Sequence, residues 1–199
     1  MDRALVGKRP RQWWAQAVTA PGIRRLNWGC GQRGEPGWIN SDLKWGPGID
    51  LTADIRCGLP IKGESMDYIV SVHALPMISY PDVVPALCEL RRLLKPGGLL
   101  RLGLPDLDKG IAAYLRRDRS YFLVPDEDVS SIGGKFTVHM LWYGYSVTLF
   151  TADFAQELLE KAGFSSVNLS SYRSTSGPHV GIVELDNRQD ESLFIEATK

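Results

Sequence analysis

Short apolar segments alternate with segments of helical periodicity along most of the chain from residue 23 onward. Met66–Val72 is almost continuously apolar, which is typical of a strand buried on both faces of a parallel sheet. Leu99–Leu104 has the same character. Val83–Leu94 instead places its apolar residues at helical spacing and predicts a helix, with Asp82 as its candidate N-cap. This alternation predicts an α/β fold in which helices cover both faces of a mostly parallel sheet.

The remaining ordered segments complete this pattern. Two further helices are predicted over Asp106–Arg117 and Phe154–Ala162. The helix-breaking residues Lys95–Gly98 are expected to end the helix Val83–Leu94. A first strand and three closing strands, at least one of them antiparallel, are predicted over Ile23–Trp28, Val167–Ser171, Val180–Leu185 and Ser192–Thr198.

Two segments follow no simple period. Residues 1–22 combine basic side chains with two tryptophans. This pattern favours a short amphipathic helix that caps the domain, and a membrane or nucleic-acid contact is the less favoured alternative. Residues 118–150 mix glycines, acidic residues and aromatic residues, and a long irregular segment in a compact domain is usually a lid or binding loop. No linker divides the chain, so residues 1–199 are predicted to form a single domain.

The amino-acid composition limits the binding partners and the cellular compartment that we expect. The 23 basic and 23 acidic residues cancel, so no nucleic-acid partner is expected. Cys30, Cys57 and Cys88 have no paired spacing, which indicates a reducing compartment. There is no signal peptide and no apolar run long enough to span a membrane, and we therefore expect a cytoplasmic protein without membrane insertion.

Glycines follow the first predicted strand, where an α/β sheet brings its backbone closest to a ligand. Gly29, Gly31 and Gly34 fit the pattern G-x-G-x-x-G, and the carboxylate of Asp42 could hold a ribose diol. A dinucleotide fold needs a full helix after the glycines and an acid about 20 residues on. The link to Asp42 is too short for that helix, so the pocket suits a nucleoside without a pyrophosphate. The alternative is that Gly29 and Gly31 only form a tight turn.

Six segments of the chain together carry a resemblance to a known family: Leu26–Gly31, Gly37–Asp42, Asp54–Ile55, Leu59–Pro60, Ser65–Ile69 and Leu93–Gly98. In this order they resemble the class I S-adenosylmethionine-dependent methyltransferases. The resemblance implies a Rossmann-like fold with a mostly parallel seven-stranded sheet, an antiparallel closing strand and helices on both faces. The short link to Asp42 and the segment Leu104–Leu107 further resemble a subgroup of sugar and polysaccharide O-methyltransferases, among which a mycobacterial enzyme of methylated-polysaccharide synthesis is a close candidate.

The resemblance also implies where S-adenosylmethionine would bind. The backbone at Gly29 and Gly31 would approach its methionine part, Asp42 would accept hydrogen bonds from both ribose hydroxyls, and Asp54 would accept one from the adenine amino group. Capping a helix is the alternative for Asp54. The cofactor-binding positions implied by the family are Asn27, Gly29, Cys30, Gly31, Asp42, Leu43, Asp54, Ile55 and His73.

Methylation of a hydroxyl requires a general base or a metal that polarises the hydroxyl. The candidate bases are His73, Asp106 and His139. For His73, a role in lining the pocket is favoured over a role in catalysis. His139 is favoured because the subgroup tends to place a histidine a few residues beyond a Gly-Gly pair, here Gly133–Gly134. A buried structural histidine is the alternative for His139, and helix capping is the alternative for Asp106.

The acceptor is expected to be a hydroxyl of a sugar or oligosaccharide. Trp142, Tyr143 and Tyr145 could stack on a sugar or form a homodimer contact. Asp106 and Asp108 could bind acceptor hydroxyls or a divalent cation such as Mg²⁺. Another small-metabolite methyltransferase, aminopropyl transfer and a non-catalytic binding module remain as alternatives.

Overall fold

A computed structural model describes residues 22–32 and 34–199, so the predicted cap helix of residues 1–22 lies outside the described residues apart from Gly22. Seven strands form one sheet in the order β3-β2-β1-β4-β5-β7-β6. Only β7 runs antiparallel to its neighbours, which are β5 and β6. The predicted mostly parallel sheet with an antiparallel closing strand is therefore confirmed. The strands are β1 (Arg25–Trp28), β2 (Ile39–Asp42), β3 (Leu51–Thr52), β4 (Met66–Val72), β5 (Leu94–Pro105), β6 (Ser165–Ser170) and β7 (Ser192–Thr198).

Four α-helices lie in the described part of the chain: α1 (Tyr80–Leu93), α2 (Leu107–Leu115), α3 (Ile132–Leu141) and α4 (Ala152–Lys161). Helix α1 begins three residues before the predicted Val83, because Ser79 takes the extended N-cap conformation and Pro81 fits the first turn. Asp82 therefore lies inside α1 and is not its N-cap. None of the described helices is long and apolar enough to cross a membrane.

The main core lies between the sheet and helices α1 and α4. Leu26 of β1 and Ile69 of β4 are fully buried on this side. Leu87 of α1 and Leu158 of α4 pack into the same cluster. Burial of this kind stabilises each strand by removing its apolar side chains from water. The core fixes the strand ends at which the candidate site lies.

In the described part of the chain, a segment that forms no α-helix covers the opposite face of β1 and β4. The described residues between β1 and β2 form no helix. Instead residues 171–191, which connect β6 to β7 and are called here the crossover segment, cross this face. Ile182 is fully buried there against Tyr68 and Val70.

The predicted strand over Val180–Leu185 is wrong, since Val180–Val183 forms a 3-10 turn within the crossover segment. Strands β5 and β6 already occupy both edges of β7, so no place beside it is left for another strand. The apolar residues of this turn reach the core by lying on the sheet.

A buried ion-pair network fixes the crossover segment. The side chain of Arg101, on β5, is fully buried and donates to Asp186 of the crossover segment at 2.7 and 2.5 Å. It also donates to Glu196 of β7 at 2.6 Å and to the carbonyl oxygens of Ser171 and Ser174. A buried charge is tolerated only when it is paired and hydrogen-bonded in this way. The network therefore holds the crossover segment against the sheet.

Residues 118–150, predicted to be an irregular lid, contain helix α3. Gly133 and Gly134 lie in its first turn, where the hydroxyl of Ser131 accepts a hydrogen bond from the Gly134 amide at 3.1 Å. Gly110 of α2 allows the two helices to pack closely, since a Cβ there would lie 2.7 Å from the sulfur of Met140. Packing and capping thus override the low helix propensity of the glycines.

Candidate active site

A cleft of about 150 Å³ opens at the carboxyl ends of β1, β2 and β4. Gly29 forms its floor with a left-handed backbone at φ +71°, and a Cβ at this position would lie only 2.1 Å from the Cβ of Ala74. Glycine is therefore required here for both conformation and space. The other lining residues are Trp28, Asp42, Leu43, Ala53, Asp54, Ile55, Arg56, Ala74, Met77 and Ile78.

Asp42 presents its carboxylate at the rim of this cleft. Its two oxygens accept hydrogen bonds from the amides of Gly31 at 2.9 Å and Lys44 at 3.0 Å. Each carboxylate oxygen has a further lone pair, so the group can still accept two hydroxyl donors. Gly31 is also left-handed, with φ +75°, and a Cβ there would project into open space.

Asp54 lines the same cleft but is already paired. Its carboxylate accepts from the Arg56 guanidinium at 2.6 Å and caps the short 3-10 helix Ile55–Cys57 through the Arg56 amide. Hydrogen bonding from Arg56 holds the pKa of Asp54 below its usual range. The structure therefore shows the capping alternative, and an adenine amino group would share the Asp54 carboxylate with Arg56.

The chemistry of this cleft fits an adenosine. Ile55 is buried, Leu43 is exposed, and both lie beside the two carboxylates in the cleft wall. An apolar slot for a flat ring, with an acceptor for ribose hydroxyls at its edge, is what a nucleoside without a pyrophosphate needs. The structure thus brings into one cleft five of the positions implied for S-adenosylmethionine, namely Gly29, Asp42, Leu43, Asp54 and Ile55.

A second cavity, of about 330 Å³, lies on the other side of Gly29. Asn27, Gly29 and Cys30 line it from β1 and the turn that follows. Residues 184–187 of the crossover segment form its opposite wall. Burial and the nearby Asp42 carboxylate raise the pKa of the Cys30 thiol to about 12, so this thiol is protonated and unreactive at neutral pH.

A third, smaller cavity of about 80 Å³ brings the two candidate histidines together beyond β4 and β5. His73 and His139 line it with Glu191 and Arg188, which the sequence analysis did not identify. Both missed residues lie in the crossover segment, more than 100 positions after His73. The short-range pattern around Glu191 carries no signal that could have found it.

His139 lies in the last turn of α3 and is 5% exposed. Its Nδ1 accepts a hydrogen bond from the Leu123 amide at 3.1 Å, so a neutral ring carries its proton on Nε2. That Nε2 lies 3.3 Å from the Oε2 of Glu191. Burial lowers the pKa of His139, although Glu191 opposes this shift. Both ring nitrogens are thus engaged by the protein.

His73 follows β4 in a left-handed conformation, with φ +57°. Its Nε2 lies 2.8 Å from the hydroxyl of Ser192, and its amide donates to the carbonyl of Gly103. Burial is the main reason that its pKa falls to about 3, and the positive charge of Arg188 adds to the effect. His73 is therefore neutral throughout the physiological range.

Glu191 is held from two sides. Its Oε1 accepts from Arg188 at 2.8 Å, and its Oε2 faces His139. The hydroxyl of Tyr121 is buried without a hydrogen-bond partner in the described part of the chain. Burial, reinforced by the carboxylates of Asp106 and Glu191, raises the pKa of Tyr121. These groups form a polar cluster in an otherwise apolar wall.

Asp106 and Asp108 do not form a metal centre with a third ligand. Asp106 caps α2 through the Lys109 amide at 3.2 Å, while Asp108 is exposed. No group of three or more histidine, cysteine or acidic side chains that could hold a metal occurs among residues 22–32 and 34–199. Both aspartates instead line a larger cleft of about 520 Å³ beside the third cavity. A Mg²⁺ site therefore has no support in the described residues.

Of the three predicted aromatic residues, Trp142 and Tyr143 pack edge to face, with their ring centres 6.0 Å apart. Trp142 lines the third cavity, and the guanidinium of Arg188 lies 5.1 Å from its ring centre. Tyr143 donates to the Asp128 carboxylate at 2.6 Å and is half exposed, and Tyr145 is 65% exposed. Neither tyrosine lines any of the four cavities described above.

Comparison with known proteins agrees with this architecture. A family model described as a methyltransferase domain matches residues 41–102. No curated protein matches the chain.

Solved structures share the fold at low identity. A methyltransferase from Thermotoga maritima, described as S-adenosylmethionine-dependent and a possible histamine N-methyltransferase, superposes with a TM-score of 0.56 at 18% identity, over 94% of this chain and 89% of that one. One from Mesorhizobium loti gives 0.52 at 18% identity, over 94% and 97%. One from Archaeoglobus fulgidus gives 0.53 at 13% identity, over 95% and 90%. The chain therefore shares the fold of these structures, and residues 41–102 within that fold match a methyltransferase domain.

Proposed function

We propose that this enzyme transfers a methyl group from S-adenosylmethionine to a hydroxyl of a sugar or oligosaccharide. The observation that carries the proposal is the polar cluster at the ends of β4 and β5, where Glu191 is held between His139 and Arg188. A carboxylate and a guanidinium together recognise hydroxyl groups as acceptor and donor. Trp142 adds an aromatic face of the kind that packs on a sugar ring.

Asp42 would hold the ribose, and Leu43 and Ile55 would flank the adenine. When bound, the cofactor supplies an electrophilic methyl group on a sulfonium. The chain's own contribution is to position the acceptor hydroxyl and to take its proton, because a hydroxyl is a poor nucleophile until that proton leaves. A neutral His73 adds no positive charge that would oppose the sulfonium.

The proton acceptor proposed from the sequence, His139, needs Glu191 beside it. With Nδ1 bonded to Leu123, His139 presents a proton and not a lone pair toward Glu191. We therefore assign proton abstraction to the pair, with the Glu191 carboxylate facing the acceptor and His139 holding it in place. This arrangement resembles a carboxylate–histidine dyad in which one member orients the other.

A hydroxyl fits this cluster better than an amine. A cationic amine would meet the guanidinium of Arg188, which lies 2.8 Å from the same carboxylate. Two cations beside one carboxylate would repel each other, whereas a neutral hydroxyl is tolerated by both groups. The charge pattern thus favours oxygen over nitrogen as the methylated atom.

The test offers methyl-labelled S-adenosylmethionine to mono- and oligosaccharides, small amines and other metabolites, and locates the label by mass spectrometry. We expect label on a carbohydrate oxygen. The variant Asp42→Ala should lose both transfer and cofactor binding, while Asp153→Asn, an exposed change at the start of α4, should retain both. Label found only on amines, or on none of the acceptors, would contradict the proposed acceptor.

A further inference from the structure

The crossover segment forms a wall of the second cavity. This cavity adjoins the cleft that contains Asp42, which is called here the adenosine cleft. Both cavities share Gly29, so a ligand that passes this glycine extends from one into the other. Residues 184–187 face Asn27 and Cys30 across the second cavity. In the described part of the chain, no helix connects β1 to β2, so the crossover segment closes this side of the cavity.

The chemistry of this wall suits an amino-acid group. Glu184 contributes a carboxylate and Asn187 an amide that can both donate and accept, whereas the Asp186 carboxylate is fully buried against Arg101. Asn187 donates to the Leu185 carbonyl at 3.1 Å, and its amide oxygen makes no hydrogen bond with the described residues. A zwitterion carries an ammonium that pairs with such acceptors and a carboxylate that pairs with amide donors.

The wall is also rigid enough to act as a binding surface. Asp186 is locked by Arg101, and Glu184 accepts from Arg25 of β1 at 2.7 Å. A site whose residues are fixed before binding loses less conformational entropy when the ligand enters. Asn187 directly follows this anchored carboxylate.

On the strength of the proposed function, we infer that the crossover segment, through Asn187 and Glu184, binds the amino-acid end of S-adenosylmethionine. The adenosine cleft and the crossover wall then recognise different halves of one molecule. Ligands that lack the amino-acid end should be insensitive to changes in the wall.

The experiment measures binding by calorimetry for S-adenosylhomocysteine and for 5′-methylthioadenosine, which lacks the amino-acid group. Asn187→Trp should fill the cavity and weaken S-adenosylhomocysteine binding about tenfold or more, and Asn187→Ala should weaken it about fivefold, the scale of a lost hydrogen bond to a charged group. Binding of 5′-methylthioadenosine should change by less than about twofold in both variants.

Gln189→Ala is the matched control, since Gln189 is exposed in the same segment but lines the cleft beside Asp106. It should leave both affinities unchanged. Equal weakening of both ligands by Asn187→Trp, or no weakening of either, would overturn the inference while the proposed function stands. A wild-type protein that binds neither ligand would overturn both.

Discussion

At the scale of single residues, two glycines with the same backbone conformation are under different constraints. Gly29 and Gly31 both have φ above +70°, but only Gly29 is packed against a neighbour, Ala74. Gly29→Ala should therefore lower the free energy of unfolding by at least about 2 kcal/mol more than Gly31→Ala, which carries only the strain of a left-handed alanine. Urea denaturation of both variants measures the difference. Equal losses would mean that the contact with Ala74 is not decisive.

His73 is expected to make stability depend on pH. Its pKa is about 3 in the folded protein and near 6.5 when unfolded, so the unfolded chain binds more protons between these values. Stability should therefore fall as the pH is lowered from about 6.5 toward 3. His73→Asn, which tolerates the left-handed backbone, should flatten this part of the curve of melting temperature against pH. An unchanged slope would show that His73 titrates normally.

Glu191 and His139 should affect turnover more than cofactor binding. We expect Glu191→Gln and His139→Ala each to lower kcat by about 10² or more, the usual size of a lost proton acceptor, with little change in the Kd of S-adenosylhomocysteine. If the two act as a pair, the double variant should lose little more than either single variant. Full additivity would indicate that they act independently.

At the scale of elements, the crossover segment depends on one buried cation. Removing it leaves the carboxylates of Asp186 and Glu196 buried without a partner, so Arg101→Met should cost about 3–5 kcal/mol of stability. The control Lys95→Met breaks the ion pair between Lys95 and Asp67. Because the Lys95 side chain is 40% exposed, this change should cost less than about 1 kcal/mol of stability. Chemical denaturation gives both values. A small loss for Arg101→Met would show that the network contributes little.

The elements that the sequence predicted well are those whose pattern is local. The buried strand Met66–Val72 is found with the predicted bounds, because continuous apolar character needs no distant partner to be interpreted. The crossover segment could not be predicted, since its place over β1 and β4 depends on Arg101 and Asp186, which are 85 positions apart. Likewise, Asp42 follows the glycine turn closely in the sequence, whereas Glu191 lies far from His139, so only Asp42 belongs to a local pattern.

At the scale of the whole molecule, the two halves of the proposed cofactor site come from distant parts of the chain. The adenosine cleft is built by β1, β2 and β4, whereas the crossover segment precedes the last strand. A ligand that contacts both should stabilise the fold globally. S-adenosylhomocysteine at about 100 times its Kd should add about 2.7 kcal/mol to the free energy of unfolding. Thermal melts with and without the ligand measure the gain, and an unchanged melting temperature would contradict binding to the folded state.

The late position of the crossover segment has a consequence for synthesis on the ribosome. Until residues 171–191 have emerged, Tyr68 and Val70 lack their contact with Ile182, and this side of β4 remains partly exposed to water. Non-local closure of this kind is slow and leaves apolar surface open to misassembly. Translation that stalls shortly after α4 should therefore yield a chaperone client, and not a weakly active enzyme.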